Sequence, residues 1–370
     1  MFKVFMSGNS PDLVRDVLTS GYVGQGPKVD ELEEKLSDFV GSPYVATVNS
    51  GTSALHLALH MIKDESDRDE VLTTPLTCTA TNFPILANDL KIKWVDIDPN
   101  NFNMDLEDLR RKISPKTRAI MVVHWGGTPL DLDALQKIQA DCYNLYGFWP
   151  PIIEDCAHAM GAKYKGNHLG KHKNICMFSF QAIKHFTTVD GGMLVLPNDH
   201  LYKRAKLLRW FGLDRTRSAD FRCEQNIHEW GFKFQMNDMT AAVGLGNIPY
   251  LNHVIEAHQH NGKFYNDNLG DSKIPGIISV QQSPALAEPS FWVYTMRVEN
   301  RDGFMKMMKE KGIAVSRVHD RNDKHKCLSE FKSLLPNTDK VCADMCCLPC
   351  GWWILDKERQ YILDCIKGGW

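Results

Sequence analysis

Residues 119–155 read AIMVVHWGGTPLDLDALQKIQADCYNLYGFWPPIIED, and the order of patterns in this stretch sets the fold class. Ala119–Val123 is a short apolar run of the kind that forms a buried strand. Leu130–Tyr146 then spaces its apolar residues as a helix does, and Ile152–Glu154 returns to a strand pattern. A helical crossover is what two parallel strands require, because a tight turn only reverses the chain. Working outward, Glu70–Thr74, Ile92–Asp96, Ile175–Ser179 and Met193–Leu196 read as further strands, and Ser53–Met61 and Met104–Lys112 as helices. This alternation predicts an α/β protein with a mostly parallel sheet covered by helices on both faces. Asn237–Gly246 and Asn252–Leu269 read as two more helices. After Pro275 the pattern changes: Phe291–Val298 and Ile313–Arg317 read as strands, Asp302–Lys311 and Lys357–Lys367 as helices. The expectation is a large α/β domain over residues 1–250 and a smaller α+β domain over 251–370.

Bulk composition narrows the function classes. The chain has 370 residues, 43% hydrophobic and 24% charged, with a net charge of −2 and no block of Lys or Arg. No basic groove for nucleic acid and no polybasic membrane patch is expected. The start, MFKVFMSGNSPDL, has no apolar signal core, and runs such as Met193–Leu196 are too short to span a bilayer. A soluble, cytoplasmic protein is the expectation. Eleven cysteines, scattered and odd in number, fit free thiols in a reducing compartment. Cys342, Cys346, Cys347 and Cys350 are close enough in sequence to suggest zinc. They lack the two separated ligand pairs of usual zinc sites, and Leu348 and Pro349 interrupt them in an apolar run, so buried thiols and no metal are expected.

Three segments can carry chemistry. Ser50-Gly51-Thr52-Ser53 precedes the helical ALHLALHMI, so free N–H groups and hydroxyls stand where a helix starts and an anion can bind. A plain N-cap by Thr52 or Ser50 is the competing reading, and on this turn alone the favoured one. Glu154 and Asp155 end an apolar run, where ligands of open α/β sheets collect and an Asp can hold a positive charge. A solvated loop acid is the competing reading. Lys184 stands in MFSFQAIKHFTTVDGG among aromatic and apolar neighbours that can depress its pKa and make it a nucleophile. A lysine whose stem packs while its head stays wet is the alternative. No GxGxxG fingerprint or P-loop occurs, which argues against nicotinamide or ATP chemistry.

Taken together and in order, these segments resemble the DegT/DnrJ/StrS family of sugar-nucleotide aminotransferases, which depend on pyridoxal 5′-phosphate (PLP). The resemblance runs through SGYVGQGPKVDELEEKL, SGTSALHLAL, VDIDP, EDCAHAMGAKYKG, SFQAIKHFTTVDGG, GFKFQMNDMTAAVGL and the late LPCGWW, nearly the whole chain. It implies the aspartate-aminotransferase-like fold type I of PLP-dependent transferases. It implies that Lys184 is the lysine that forms the internal aldimine with PLP and later moves the proton, and that Asp155 pairs with the pyridinium nitrogen. Gly51, Thr52, Ser53 and Ser179 match phosphate-binding positions. His158 stands where many members have Gln, near the ring hydroxyl. Cys78 occupies the place of an aromatic residue that stacks on the ring, so a softer sulfur contact is expected there.

Lys233 stands where members often carry an Asn that reaches the cofactor phosphate from the neighbouring subunit. A homodimer with shared sites is therefore implied. Arg317, His319 and Arg321, in a polar run near the end of the chain, fall where the family reaches toward substrate and are expected to meet a diphosphate. A solvated surface loop is the competing reading of that run. The implied reaction moves an amino group from glutamate to a 4-keto-6-deoxy or 3-keto sugar of a nucleoside diphosphate sugar, a step of deoxyaminosugar and polysaccharide biosynthesis. Two rivals remain: a dehydratase branch of the family, in which His replaces the lysine, and a regulatory protein that kept the fold and lost the chemistry. Lys184 in register, with His185 only beside it, favours amino transfer.

Overall fold

The computed structural model describes residues 1–216, 224–270 and 274–370. Strands β1 (Val45–Val48), β2 (Glu70–Thr73), β3 (Lys91–Trp94), β4 (Thr117–Val123) and β5 (Ile152–Asp155) come first. A small hairpin, β6 (Lys163–Tyr164) and β7 (Asn167–His168), precedes β8 (Ile175–Ser179) and β9 (Gly192–Val195). The central sheet has the order β1-β9-β8-β5-β4-β2-β3. From β3 to β8 the neighbours run parallel, and β9 alone runs against both of its neighbours.

Helices α1 (Ser10–Ser20) and α2 (Pro27–Val40) precede the sheet. Helices α3 (Gly51–Met61), α4 (Thr79–Ala87), α5 (Leu106–Lys112) and α6 (Leu132–Tyr146) join its first five strands. Helices α7 (Asp199–Leu208), α8 (Asp238–Asn247) and α9 (Leu251–Leu269) follow it. The crossover read first from sequence shows why these boundaries hold. The Asp131 carboxylate accepts from Ala134 N–H at 3.0 Å to cap α6, and Gly147 ends the helix at φ +78°, a left-handed position that suits glycine.

Alternation along the strands sorts the core onto two faces. Leu72, Ile120, Val122, Ile152 and Phe178 pack with Leu36 of α2, Leu135 and Ile138 of α6, and Ala241 of α8. Val71, Ala119, Met121, Ile153 and Met177 pack on the other face with Ala54, Leu55 and Ala58 of α3 and Ile85 of α4. Asp155 lies two residues beyond Ile153, so its carboxylate emerges on the α3 and α4 side. Glu154 turns to the opposite face, where His124 Nε2 and Asn174 Nδ2 stand 2.8 and 2.6 Å from its carboxylate oxygens.

The C-terminal part adds β10 (Ile277–Val280), β11 (Ala287–Glu288), β12 (Tyr294–Val298) and β13 (Met345–Leu348), with α10 (Arg301–Glu310), α11 (Pro336–Asp344) and α12 (Asp356–Lys367). Strands β10, β12 and β13 form a three-stranded antiparallel sheet, while β11 pairs with β6. The strand expected at Ile313–Arg317 does not form. Only Ser316 bridges to Cys347, and Val318, at φ +65°, then turns the chain back toward the large sheet, where Arg321 bridges Leu76. Helices α1, α2, α4 and α7 and strand β1 have no counterpart in the sequence reading; α4 carries a proline, Pro84, within it. The four late cysteines divide between two core clusters on either side of β13. Cys346 and Cys350 pack with Tyr265 and Tyr294, whereas Cys342 and Cys347 pack with Trp125 and Trp292. Among the described residues no helix is long and apolar enough to cross a membrane.

Candidate active site

The strand ends on the α3 and α4 side open into a cavity of about 360 Å³. Its first wall is the start of α3. Ser50 is extended, and its hydroxyl accepts from Ser53 N–H at 3.1 Å. Gly51 follows, packed so closely on β8 that an added Cβ would lie 3.1 Å from both Met177 Sδ and Ser179 Cβ. The first N–H groups of a helix have no partners within it and favour an anion. Ser50, Gly51, Thr52 and Ser179 all line the cavity here. Ser50 caps the helix, and the same turn faces the cavity.

Asp155, 3% exposed, forms the floor. Thr81 Oγ1 donates to its Oδ2 at 2.7 Å and Ala157 N–H to its Oδ1 at 3.0 Å. Burial pushes its pKa up, while Thr81, Ala157 and the charge of Lys184 pull it down. Lys184 lines the same cavity from the loop between β8 and β9. Burial lowers its pKa to about 8, with Asp155 and Cys78 opposing. Cys78 lines the cavity as the residue that starts α4. His158 is 3% exposed, and its Nδ1 has no partner in the protein. Burial, with Lys184 nearby, holds its pKa well below the usual range, so it is neutral at pH 7. His319 lies parallel to it, with ring centroids 5.5 Å apart and 8° between planes; its Nε2 is also unpaired, and burial lowers its pKa to about 4.

Gly51, Thr52, Cys78, Asp155, His158, Ser179, Lys184 and His319 are therefore brought together, and four expected residues are not. Ser53 lies behind the turn, 2.9 Å from the Ser50 hydroxyl. The Lys233 ammonium lies over the rings of Trp210 and Phe211, outside this chain's own cavity. Arg317, partly exposed, stands 3.6 Å from Asp320. Arg321 corrects the expectation of a diphosphate clamp: it is 5% exposed and its guanidinium is held by Asp323 and Asp339. His319 meets the cavity as a neutral ring rather than as a cation. Trp292, Gln181, Asp190 and the Thr77–Thr81 hydroxyl pair were missed by sequence reasoning. The threonines stand four apart just after a strand, which is a usable signal, whereas Trp292 comes from more than a hundred residues along the chain with no local signature.

Three of the residues with left-handed backbone border this site. Val189, Phe291 and Val318 have φ of +75°, +50° and +65°, values that bulky residues rarely adopt. Each directly precedes a cavity residue: Asp190, Trp292 and His319. Such conformations persist only where the surrounding structure imposes them. A second cleft, of about 390 Å³, is lined by Asp98, Asp105, Glu107 and Asp131. Its acids are occupied locally: Asp105 and Asp131 cap helices, Asp98 binds Asn100 N–H and Asn101, and Glu107 pairs with Arg110.

A model of the DegT/DnrJ/EryC1/StrS aminotransferase family matches residues 6–367. The chain belongs to this family. As a DegT/DnrJ/EryC1/StrS aminotransferase it is similar to AtS13 of Actinomadura melliaura, with 46% identity and a TM-score of 0.97 over 100% of this chain and 98% of that one. The sugar aminotransferase CalS13 of Micromonospora echinospora matches at 42% identity and TM-score 0.95, over 100% and 99% of the two chains. An uncharacterized protein of Methanocaldococcus jannaschii is 32% identical over 83% of this chain and 79% of its own length. The Spr1654 protein of Streptococcus pneumoniae, known in a PLP-form, matches at 25% identity and TM-score 0.88 over 99% and 97% of the chains. The α/β fold is thus that of PLP-dependent sugar aminotransferases.

Proposed function

We propose that this chain binds PLP in the Lys184 cavity and transfers an amino group from glutamate to a keto sugar carried by a nucleoside diphosphate. The observation that carries the reading is the meeting of the Lys184 amine, the buried Asp155 carboxylate and the open start of α3 in one cavity. The residues fit the cofactor on grounds of their own. The start of α3 at Gly51, with the Ser50, Thr52 and Ser179 hydroxyls, suits a phosphate. The orphaned His158 Nδ1 suits a ring oxygen, and Asp155 suits a ring nitrogen that carries a proton. When bound, PLP supplies an electron sink that makes the substrate's Cα–H bond acidic.

The protein's part follows from its residues. Ionised, Asp155 stabilises a cation in this dry site far better than it would in water. Thr81 and Ala157 fix the direction of that carboxylate. Lys184, with its pKa brought down to about 8, exchanges a proton readily near neutral pH and is suited to removing and returning one at carbon. His158 and His319 present neutral hydrogen-bonding edges. His185 weighs against the dehydratase: its Nε2 donates to Ser290 O at 3.0 Å and it lies outside the cavity lining. The domain division at residues 250 and 251 would place the site between two units, since Trp292 and His319 come from the second and the other cavity residues from the first.

We read the protein as a homodimer in which Lys233 completes the partner's phosphate site. Borohydride reduction of the PLP-loaded protein tests the reading. The trapped cofactor is expected on Lys184 and is expected to vanish in Lys184→Ala; trapping on Lys165 or Lys173 would overturn the assignment.

A further inference from the structure

The Lys184 ammonium lies 3.9 Å from the centroid of the Trp292 ring. Among the described residues its ammonium makes no hydrogen bond or ion pair, and the nearby Asp155 carboxylate is taken up by Thr81 and Ala157. Trp292 is 1% exposed and is held on several sides. Its indole N–H donates to Ile183 O at 3.0 Å, the carbonyl of the residue before Lys184, and its backbone N–H donates to Gly126 O at 2.8 Å. His158 stacks on the ring at 3.9 Å and 15°, and Phe2, from the start of the chain, at 4.8 Å and 20°. Phe291, just before it, is forced to φ +50°. A tryptophan that only filled the core would need neither the strained residue nor a link to the lysine loop.

We propose that Trp292 is a positioning residue for Lys184, its ring being the seat on which the ammonium rests whenever the amine is free. This rests on the reading of Lys184 as the reacting amine. The physical case is a balance of charges. Burial disfavours the ammonium, and the groups facing it are Asp155 on β5, Cys78 at the start of α4, His158, His319 and its neighbour His185. The three histidines are neutral near pH 7, and no carboxylate binds the amine directly. The ring's negative face favours the charged form without a directional bond that must break before the amine moves. A group that must alternately hold and release a proton gains from such a weak, fixed seat. Neither Trp292 nor its link to Ile183 O depends on the identity of the sugar.

The test uses the full chain freed of PLP. Lysines are labelled by reductive methylation with ¹³C-formaldehyde, the Lys184 signal is identified by its absence in Lys184→Arg, and its titration is followed by NMR. The titration is repeated in protein made with 5-fluorotryptophan and with a trifluorinated tryptophan, which drain the ring's negative face with little change of shape. The Lys184 midpoint is expected to fall stepwise, by on the order of one unit in the trifluorinated protein. In Trp292→Phe the midpoint should be partly lowered and no longer respond to fluorination of the other tryptophans. A midpoint that stays fixed through the fluorinated series would overturn the proposal. Borohydride trapping separates the two ideas: PLP trapped away from Lys184 overturns the functional reading, while the fluorinated series decides on Trp292 by itself.

Discussion

Replacing Asp155 with Asn separates the charge of this residue from its shape. The carboxylate is 3% exposed and accepts from Thr81 Oγ1 at 2.7 Å and from Ala157 N–H at 3.0 Å. Asparagine keeps an oxygen for Ala157, and the Thr81 hydroxyl, which shares a 2.7 Å contact with Thr77, can turn to accept from the new amide. The site should keep its form and lose only a negative charge. Deleting one preorganised electrostatic partner in a dry site costs roughly 10²–10³ in turnover, about 3–4 kcal/mol. Stability should move the other way. Because burial raises the Asp155 pKa, the folded state holds its proton more tightly than the unfolded chain does. The ionised group therefore costs stability at neutral pH, and that cost disappears as pH falls through the ordinary carboxylate range. Cofactor-free Asp155→Asn should melt at the wild-type temperature or on the order of 2 °C above it. Steady-state turnover and thermal melts with and without PLP measure both effects. Near-normal turnover would remove Asp155 from the chemistry, and a lower melting point in the cofactor-free variant would refute the reasoning from burial.

Further outcomes follow from the same geometry. With the Lys184 pKa lowered to about 8, capture of PLP by the cofactor-free protein should rise about tenfold per pH unit up to about pH 8 and then level off, because only the neutral amine adds to the aldehyde; a rise that continues past pH 10 would show an unperturbed lysine. Mixing Lys184→Ala with an inactive Lys233→Ala protein should restore up to about half of wild-type activity per mixed dimer, since both defects can fall in one site; absence of recovery where subunit exchange is demonstrated would contradict sharing. Arg321→Met should lower the melting temperature, because the mostly covered Asp323 loses its partner, while the KM for the sugar nucleotide stays within about twofold; a large rise in KM with unchanged stability would return Arg321 to substrate binding. Protein purified without added zinc should carry less than about a tenth of an equivalent of metal; one tightly held equivalent that is lost on replacing Cys346 and Cys347 with Ser would show that the late cysteines gather.

The parts legible in sequence were those written in local pattern. The crossover from Ala119 to Asp155 declared itself because strand and helix periods differ, and the sheet's parallel half followed. Helix α3 and the acid at the end of β5 were legible for the same reason. Helix α4 was not, since Pro84 within it and the threonines at its start mask any helical period. The strand expected at Ile313–Arg317 failed because pairing is decided by a partner elsewhere, and here only Ser316 finds one. In the site, ordered motifs located Lys184 and Asp155. They carried no information on which arginines face the cavity, because Arg321 looks the same in sequence whether it meets a diphosphate or the two aspartates that hold it. Trp292 was invisible because its role arises from a contact across the fold.

The most direct test of the proposed reaction is a release assay with the PLP-loaded protein, glutamate and a panel of nucleoside-diphosphate keto sugars. Glutamate alone should yield about one 2-oxoglutarate per bound PLP, because the amino group stays on the enzyme. Adding an accepted keto sugar should make release continuous, with an equal amount of aminosugar formed. A sugar that loses water instead of gaining nitrogen, or glutamate that yields no 2-oxoglutarate from fully loaded protein, would contradict the account.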